Sequence, residues 1–191
     1  MASTLIITGS PSSSSRTLRF AHTLGDRLGK HGLDSSLLDL RSLPAEDLLL
    51  ARVDAPGIRA ALEQLAAARG VVVVTPVYKA AYSGILKTFL DLLPQFGLRE
   101  KVVLPLAMGG SLAHVLTIDY ALRPVLSSLD PLHIVTGLFL LDKQAVLHED
   151  GRFELDADLS GKLDGTLGAF AAAVERAGLP CKASAGASKS A

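Results

Sequence analysis

A run of four valines at residues 71–74 constrains the fold of this chain more than any other feature. Gly70 precedes the run, and a turn at Pro76 follows it. Valine favours strands because its branched side chain packs well on a pleated surface. A strand without polar alternation must be covered on both faces, as in a parallel sheet with helices on either side. The run therefore predicts a strand that is buried from both sides.

Other apolar runs alternate with helical patterns along the rest of the chain. The runs predict strands at residues 4–9, 34–40, 70–76, 101–110 and 133–141. Apolar residues spaced by three and four predict helices at residues 15–31, 57–69, 83–93, 112–129 and 159–177. Such alternation specifies an α/β fold, a parallel sheet with helices on both faces. We expect a single domain over residues 1–177 and a disordered tail at residues 178–191.

Composition and charge narrow the class of protein. Apolar residues make up 49% of the 191 residues, which is enough for a sizeable core. Nineteen basic residues balance nineteen acidic ones, so no basic excess predicts a nucleic-acid partner. The single cysteine, Cys181, has no disulfide partner and no cluster of metal ligands around it, so we expect no metal site. Neither a membrane span nor a signal peptide is evident, and we expect a soluble cytoplasmic protein without a membrane partner.

Ligands of such sheets bind beyond the carboxyl ends of the strands, where three turns are predicted. The first turn, GSPSSSSRT at residues 9–17, joins a buried strand to a helix. Helix N-terminal amides, serine hydroxyls and one arginine are donors that suit a phosphate, and the P-loop and dinucleotide-binding motifs are absent. The alternative is an ordinary polar turn capped by serine. The candidate phosphate ligands are Ser10, Ser12, Ser14, Ser15, Arg16 and Thr17.

The second turn, TPVYKAAYSG at residues 75–84, places small and aromatic residues at the end of the valine strand. A flat ring lying against this loop would have Tyr78 or Tyr82 near it and backbone amides at its polar edge. The alternative is a rigid turn whose tyrosines pack on the surface or on a partner chain. The candidate ligands are Pro76, Val77, Tyr78, Lys79, Ala80 and Ser83, and Ser83 is also a candidate helix N-cap.

The third turn, MGGSLAH at residues 108–114, follows another buried strand. Its glycines allow close approach of the backbone, and its amides would stabilise negative charge at a ring edge. The candidates are Gly109, Gly110 and Ser111, and the alternative is a plain strand-to-helix turn. We expect no catalytic side chain, because His114 has no acidic or nucleophilic partner at a suitable spacing. A phosphate at the first turn and a ring between the other two describe a site for flavin mononucleotide (FMN).

The chain resembles the NADPH-dependent FMN reductases of two-component alkanesulfonate monooxygenase systems. The resemblance covers nearly all of residues 4–175 and is carried by GSPSSSSRT, TPVYKAAYSGILKTFLDLLP, KVVLPLAMGGSLAHVLTIDYALRPVL and PAEDLLLARVDAP. It implies a flavodoxin-like fold whose five parallel strands have the order 2-1-3-4-5. It also implies that NADPH reduces FMN, that a separate monooxygenase uses the reduced FMN in sulfur acquisition, and that the chain forms dimers or tetramers.

The resemblance also predicts roles for two positions, Tyr120 and Ser12. Tyr120 matches a tyrosine that, in the family, is inserted after the third turn and creates a π-helical bulge at a subunit interface near the flavin. The alternative is a plain core or interface tyrosine in a helix distorted by Pro124. Many related reductases carry an arginine where this chain has Ser12, which leaves Arg16 as the only cation of the turn. We therefore hypothesise weak phosphate binding, which suits an enzyme that must release its flavin.

Two other functions fit the same fold and turns. One is a quinone or azo reductase that keeps FMN bound, and it would purify yellow and work without added FMN. The other is a non-enzymatic electron carrier of the flavodoxin type. Such carriers are usually strongly acidic, whereas this chain has no net charge.

Overall fold

The computed structural model describes residues 3–149 and 152–178. Its strands are β1 (Ser3–Thr8), β2 (Asp34–Asp39), β3 (Gly70–Tyr78), β4 (Ala81–Tyr82), β5 (Val102–Gly109), β6 (His133–Ile134), β7 (Leu138–Leu141), β8 (Ala145–Leu147) and β9 (Phe153–Leu155). Its α-helices are α1 (Arg16–Lys30), α2 (Ala45–Leu49), α3 (Pro56–Ala67), α4 (Gly84–Leu90), α5 (Arg123–Ser127) and α6 (Ala157–Gly178). The predicted disordered tail, apart from Gly178, lies outside the described residues.

The main sheet is parallel, with the strand order β2-β1-β3-β5 followed by β6 and β7, which pair with β5 one after the other. In terms of the five predicted strands this is the order 2-1-3-4-5, so the flavodoxin-like prediction is confirmed. Only β4 departs from it, as a two-residue antiparallel addition to the end of β3. None of the described helices is long and apolar enough to cross a membrane.

The predicted fifth strand, residues 133–141, is divided in two. Its pairing with β5 stops at Val103 and resumes at Leu106. Pro105 lies between these positions and has no N–H to donate to the ladder. A Cβ on Gly137 would lie 2.6 Å from the carbonyl oxygen of Pro105, so glycine is required where the two strands pass. The division follows from this proline and the glycine beside it.

The valine run lies at the centre of the sheet and is buried, as predicted. Val71 and Val73 belong to one apolar cluster, together with side chains from α3 and α4. Val72 and Val74 belong to a second cluster on the opposite face, with side chains from α1 and α6. Successive side chains of a strand point to opposite faces, so one run of valines supplies both halves of the core.

The single helix predicted at residues 112–129 is wrong. The segment forms a 3-10 helix (Leu112–His114), a π-helix (Ile118–Leu122) and α5. In the π-helix the N–H of Arg123 donates to the carbonyl of Ile118, five residues earlier. Pro124 has no N–H for the carbonyl of Tyr120, so the ordinary α-helical bond is missing there. Tyr120 lies in this π-helix and is 79% exposed.

The sequence after the last strand of the main sheet reads as polar and turn-rich but forms a small hairpin. Within it, β8 pairs antiparallel with β9, and Val146 lies opposite Glu154. The ring of Phe153 packs 5.9 Å from the ring of Phe20 on α1. The hairpin therefore covers the first turns of α1, next to the carboxyl edge of the sheet.

Candidate functional site

The three predicted turns meet at the carboxyl edge of the sheet around a cavity of about 230 Å³. Its lining residues are Ser10, Ser12, Ser14, Ser15, Arg16, Thr17, Pro76, Val77, Tyr78, Met108, Gly109, Gly110 and Asp142. The structure thus brings most of the predicted ligands together. Lys79, Ala80, Ser83 and Ser111 lie outside the lining.

Larger clefts exist elsewhere on the surface. One of about 420 Å³ lies between α1 and β9, and others of about 430 and 450 Å³ lie beside the C-terminal end of α3 and between α1 and α6. None of these three clefts is lined by a residue of the three turns. We place the candidate site in the smaller cavity, because the polar groups of the turns converge there and a binding site needs such groups more than a large volume.

The serines of the first turn make local hydrogen bonds. Ser15 caps α1 by accepting a hydrogen bond from the N–H of Leu18 at 3.1 Å, and the hydroxyls of Ser12 and Ser14 lie 3.3 Å apart. The first turn of α1 contains no acidic residue. Helix N-terminal amides and clustered hydroxyls are suitable donors for an anion.

Arg16 has a second role that its sequence position does not predict. Its Nη2 donates to the carbonyl of Asp142 at 2.8 Å and also to the carbonyl of Ala145, at the start of β8. Its Cζ lies 6.0 Å from the centre of the Phe153 ring. Its Nε is buried and has no hydrogen-bond partner within the described residues. Arg16 therefore borders the cavity while it also anchors the β8–β9 hairpin.

Ser83 holds the second turn against the first. It is 1% exposed, and its hydroxyl donates to the carbonyl of Gly9 while it accepts from the N–H of Leu86 at 3.4 Å. Its own N–H donates to Oγ1 of Thr75 at 3.1 Å. A Cβ on Gly9 would lie 2.7 Å from Cβ of Leu86, so this contact also depends on glycine. The predicted N-cap is confirmed, and the hydroxyl of Ser83 is occupied within the protein.

The second turn has an unusual backbone. Lys79 and Ala80 form the two-residue link between β3 and β4, and both have left-handed conformations, with φ of 50° and 62°. Tyr78 is 47% exposed and lines the cavity. Tyr82 instead packs against the core. Burial raises the pKa of its phenol, while Lys87 lowers it by a smaller amount and Asp91 raises it further. Of the two candidate tyrosines, the structure places only Tyr78 at the cavity.

The glycines of the third turn allow the backbone to pass close to neighbouring groups. Gly109 and Gly110 line the cavity, and a Cβ on Gly109 would meet the Phe139 ring at 3.1 Å. Ser111 is exposed and caps the 3-10 helix by accepting from the N–H of Ala113 at 3.2 Å.

Sequence reasoning missed two lining residues, Met108 and Asp142. Met108 is the last apolar side chain of β5, and Asp142 directly follows β7. Both therefore lie at carboxyl ends of parallel strands, where ligands of such sheets bind. Applying that rule to the fifth predicted strand would have identified Asp142.

The chemistry of the cavity fits a phosphate monoester beside a flat apolar group. Its only charged lining side chains are Arg16 and Asp142, and the other polar groups are hydroxyls and backbone amides. In the part of the chain that the structure describes, no cluster of His, Cys, Asp or Glu could hold a metal ion. The buried Nε of Arg16, without a partner in this part of the chain, is a further donor for an anion.

Comparison with known proteins agrees with this chemistry. The profile of the family described as NADPH-dependent FMN reductase matches residues 2–146. The chain is 44% identical to an FMN reductase (NADPH) of Escherichia coli K12 over 174 residues, 90% of each chain. It is 43% identical to an FMN reductase (NADPH) of Pseudomonas putida KT2440 over 171 residues, 89% of this chain and 87% of the other.

A solved structure shares both fold and sequence. The apo form of the NADH:FMN oxidoreductase EMOB superposes with a TM-score of 0.82 at 36% identity. The match covers 91% of this chain and 90% of that one.

Proposed function

Because the chain belongs to the NADPH-dependent FMN reductase family, we propose that it transfers hydride from NADPH to FMN and releases the reduced flavin. The observation that supports this most directly is the cavity itself. It combines hydroxyl and amide donors at one turn with an apolar wall and glycine backbone at the other two. These are the features that the phosphate and the ring of FMN require.

The first turn would hold the phosphate. The hydroxyls of Ser10, Ser12 and Thr17 line the cavity, and the N-terminus of α1 adds partial positive charge. Arg16 contributes the free Nε of its guanidinium, while Nη2 stays on the hairpin carbonyls. The phosphate would therefore be bound by several neutral donors and by one cation, Arg16, which also donates to the carbonyls of Asp142 and Ala145.

The second and third turns would hold the ring. Pro76, Val77 and Tyr78 form one wall, and the backbone at Gly109 and Gly110 forms the other. When bound, FMN supplies the hydride-accepting chemistry. The protein binds and orients the ring, and the amides of the third turn stabilise negative charge at its polar edge. No acid–base side chain is assigned, in keeping with chemistry that resides in the cofactor.

We further propose that a separate alkanesulfonate monooxygenase receives the reduced FMN, so that the reaction serves sulfur acquisition. The resemblance carried by the four quoted stretches supports this assignment. Homo-oligomers, dimers or tetramers, are proposed on the same basis. The exposed apolar side chains of Leu112, Leu116 and Tyr120, beside the third turn, suit such an interface.

Steady-state NADPH and NADH oxidation, with FMN, FAD and riboflavin varied in turn, tests the proposed activity. We expect NADPH oxidation that depends on added FMN and saturates with it, and a colourless purified protein. A yellow protein that reduces quinones without added FMN would instead establish the retained-flavin alternative. A protein that binds FMN but oxidises neither nucleotide would be an electron carrier. Comparing the two nucleotides is informative, because the E. coli relative is named for NADPH and EMOB for NADH.

A further inference from the structure

We propose that the carboxylate of Asp142 lowers the affinity of this protein for FMN by repelling its phosphate, and so speeds release of the flavin. This inference rests on the proposed function, because it concerns the same cavity. Asp142 would thereby shorten the time for which a phosphorylated flavin stays bound.

The position of Asp142 places a negative charge at the anion-binding turn. Asp142 lines the cavity with the first-turn serines, and its carbonyl accepts from Nη2 of Arg16 at 2.8 Å. Its Oδ2 lies 3.6 Å from where a Cβ on Gly110 would be. The carboxylate therefore faces the cavity between the first and third turns.

No cation neutralises this carboxylate. Within residues 3–149 and 152–178, the structure shows no hydrogen bond or ion pair to the Asp142 side chain, and Arg16 contacts only its backbone oxygen. The cavity thus has one positive and one negative side chain. A phosphate monoester adds about two further negative charges near neutral pH. Its attraction to Arg16 is opposed by repulsion from Asp142, which lines the same cavity.

This arrangement suits a flavin that leaves. A protein that retains FMN gains nothing from a carboxylate next to the phosphate, since like charges close together weaken binding. A reductase that delivers reduced FMN to another protein must let it dissociate. Asp142 would supply that property without altering the hydroxyl and amide donors that recognise the phosphate.

Flavin binding without NADPH, measured by quenching of flavin fluorescence, tests the role of Asp142. Asp142→Asn keeps the shape and the backbone carbonyl but removes the charge. We expect it to tighten FMN binding about tenfold and to slow FMN dissociation by a similar factor. Riboflavin, which lacks the phosphate, should bind Asp142→Asn and the unaltered protein within about twofold of each other.

Matched variants separate the local charge from other effects. Asp26→Asn makes the same change in net charge at an exposed position of α1 outside the candidate site and should leave FMN affinity unchanged. Asp142→Glu keeps the charge and should bind FMN as weakly as the unaltered protein. Should Asp142→Asn fail to fold, Asp142→Ala also removes the charge and should bind FMN tightly. The inference is overturned if removing the charge leaves FMN affinity unchanged, or if riboflavin or Asp26→Asn shows the same gain. The unaltered protein tests the proposed function separately, by FMN-dependent NADPH oxidation.

Discussion

The first and second turns border the same cavity but are stabilised in different ways. The serines of the first turn, which follows β1, bond within the turn and its helix, with Ser15 capping the helix that begins one residue later. The two ends of the turn also bond to distant segments, Gly9 to Ser83 and Arg16 to the carbonyls of Asp142 and Ala145. The second turn follows β3 and contains two consecutive left-handed residues, Lys79 and Ala80. The serine hydroxyls at the proposed phosphate end are thus arranged by local hydrogen bonds, whereas the left-handed backbone at the proposed ring end depends on a distant contact.

The second turn needs those contacts because its backbone is strained. Two-residue hairpin links with left-handed residues favour Asn-Gly, since a Cβ in this conformation costs about 1–2 kcal/mol. Here the sequence is Lys-Ala, with no glycine. The hydroxyl of Thr117, which is 4% exposed, donates to the carbonyl of Ala80 at 3.2 Å. Thr117 directly precedes the π-helix, so this hydrogen bond joins the second turn to the segment that carries Tyr120.

Ser83→Ala should have the largest effect, because it removes the link between the two turns. The carbonyl of Gly9 loses its buried donor and the N–H of Leu86 loses its cap. We expect the free energy of unfolding to fall by about 2–3 kcal/mol, measured by urea denaturation. Ser14→Ala, an exposed serine of the first turn, is the control and should change stability by less than about 0.5 kcal/mol. Equal losses in both variants would contradict the difference between the turns.

Thr117→Val should have an intermediate effect and act on the ring end alone. It preserves the volume of the side chain but removes the donor to Ala80, and we expect a loss of about 1 kcal/mol in stability. Affinity for FMN and for riboflavin should fall together, by up to about fivefold, because we propose that the second turn holds the ring rather than the phosphate. Thr117→Ser keeps the hydroxyl and should restore both affinities. A loss confined to FMN would place the effect at the phosphate instead.

Ala80→Gly should have the smallest effect on the free energy of unfolding. Glycine relieves the left-handed strain but makes the unfolded chain more flexible, so the two contributions nearly cancel. We expect stability to change by less than about 0.5 kcal/mol. The same substitution at Ala60, an exposed position inside α3, should cost about 1 kcal/mol. Equal losses at both positions, measured by thermal unfolding, would show that the turn is not strained.

Much of the fold is predictable from short stretches of sequence. The valine run, the alternation of strands and helices and the cap at Ser83 follow from side-chain type and spacing, and the strand order is the one that the resemblance implies. The errors lie where one residue alters a regular pattern. Pro105 with Gly137 divides the last strand, and Pro124 interrupts the predicted long helix. The sequence shows these residues, but their effect depends on which groups they face.

In the candidate site, too, some features were predicted from sequence and others were not. Its serines, its glycines and the residues 76–78 were found from sequence, because they follow strands whose carboxyl ends must share one edge of a parallel sheet. The hairpin carbonyls that Arg16 binds and the donor that holds Ala80 are distant in the chain and have no periodic pattern.

The sequence by itself determined the sheet, the layers on either side of it and the edge at which the candidate site lies. Patterns of buried and turn-forming residues are local, and they specify elements and their order. The tertiary structure alone decided the charge balance of the cavity, where Asp142 lies near a guanidinium that already donates to the backbone carbonyls of Asp142 and Ala145. Charge interactions act through space and depend on distances that only the packed chain defines.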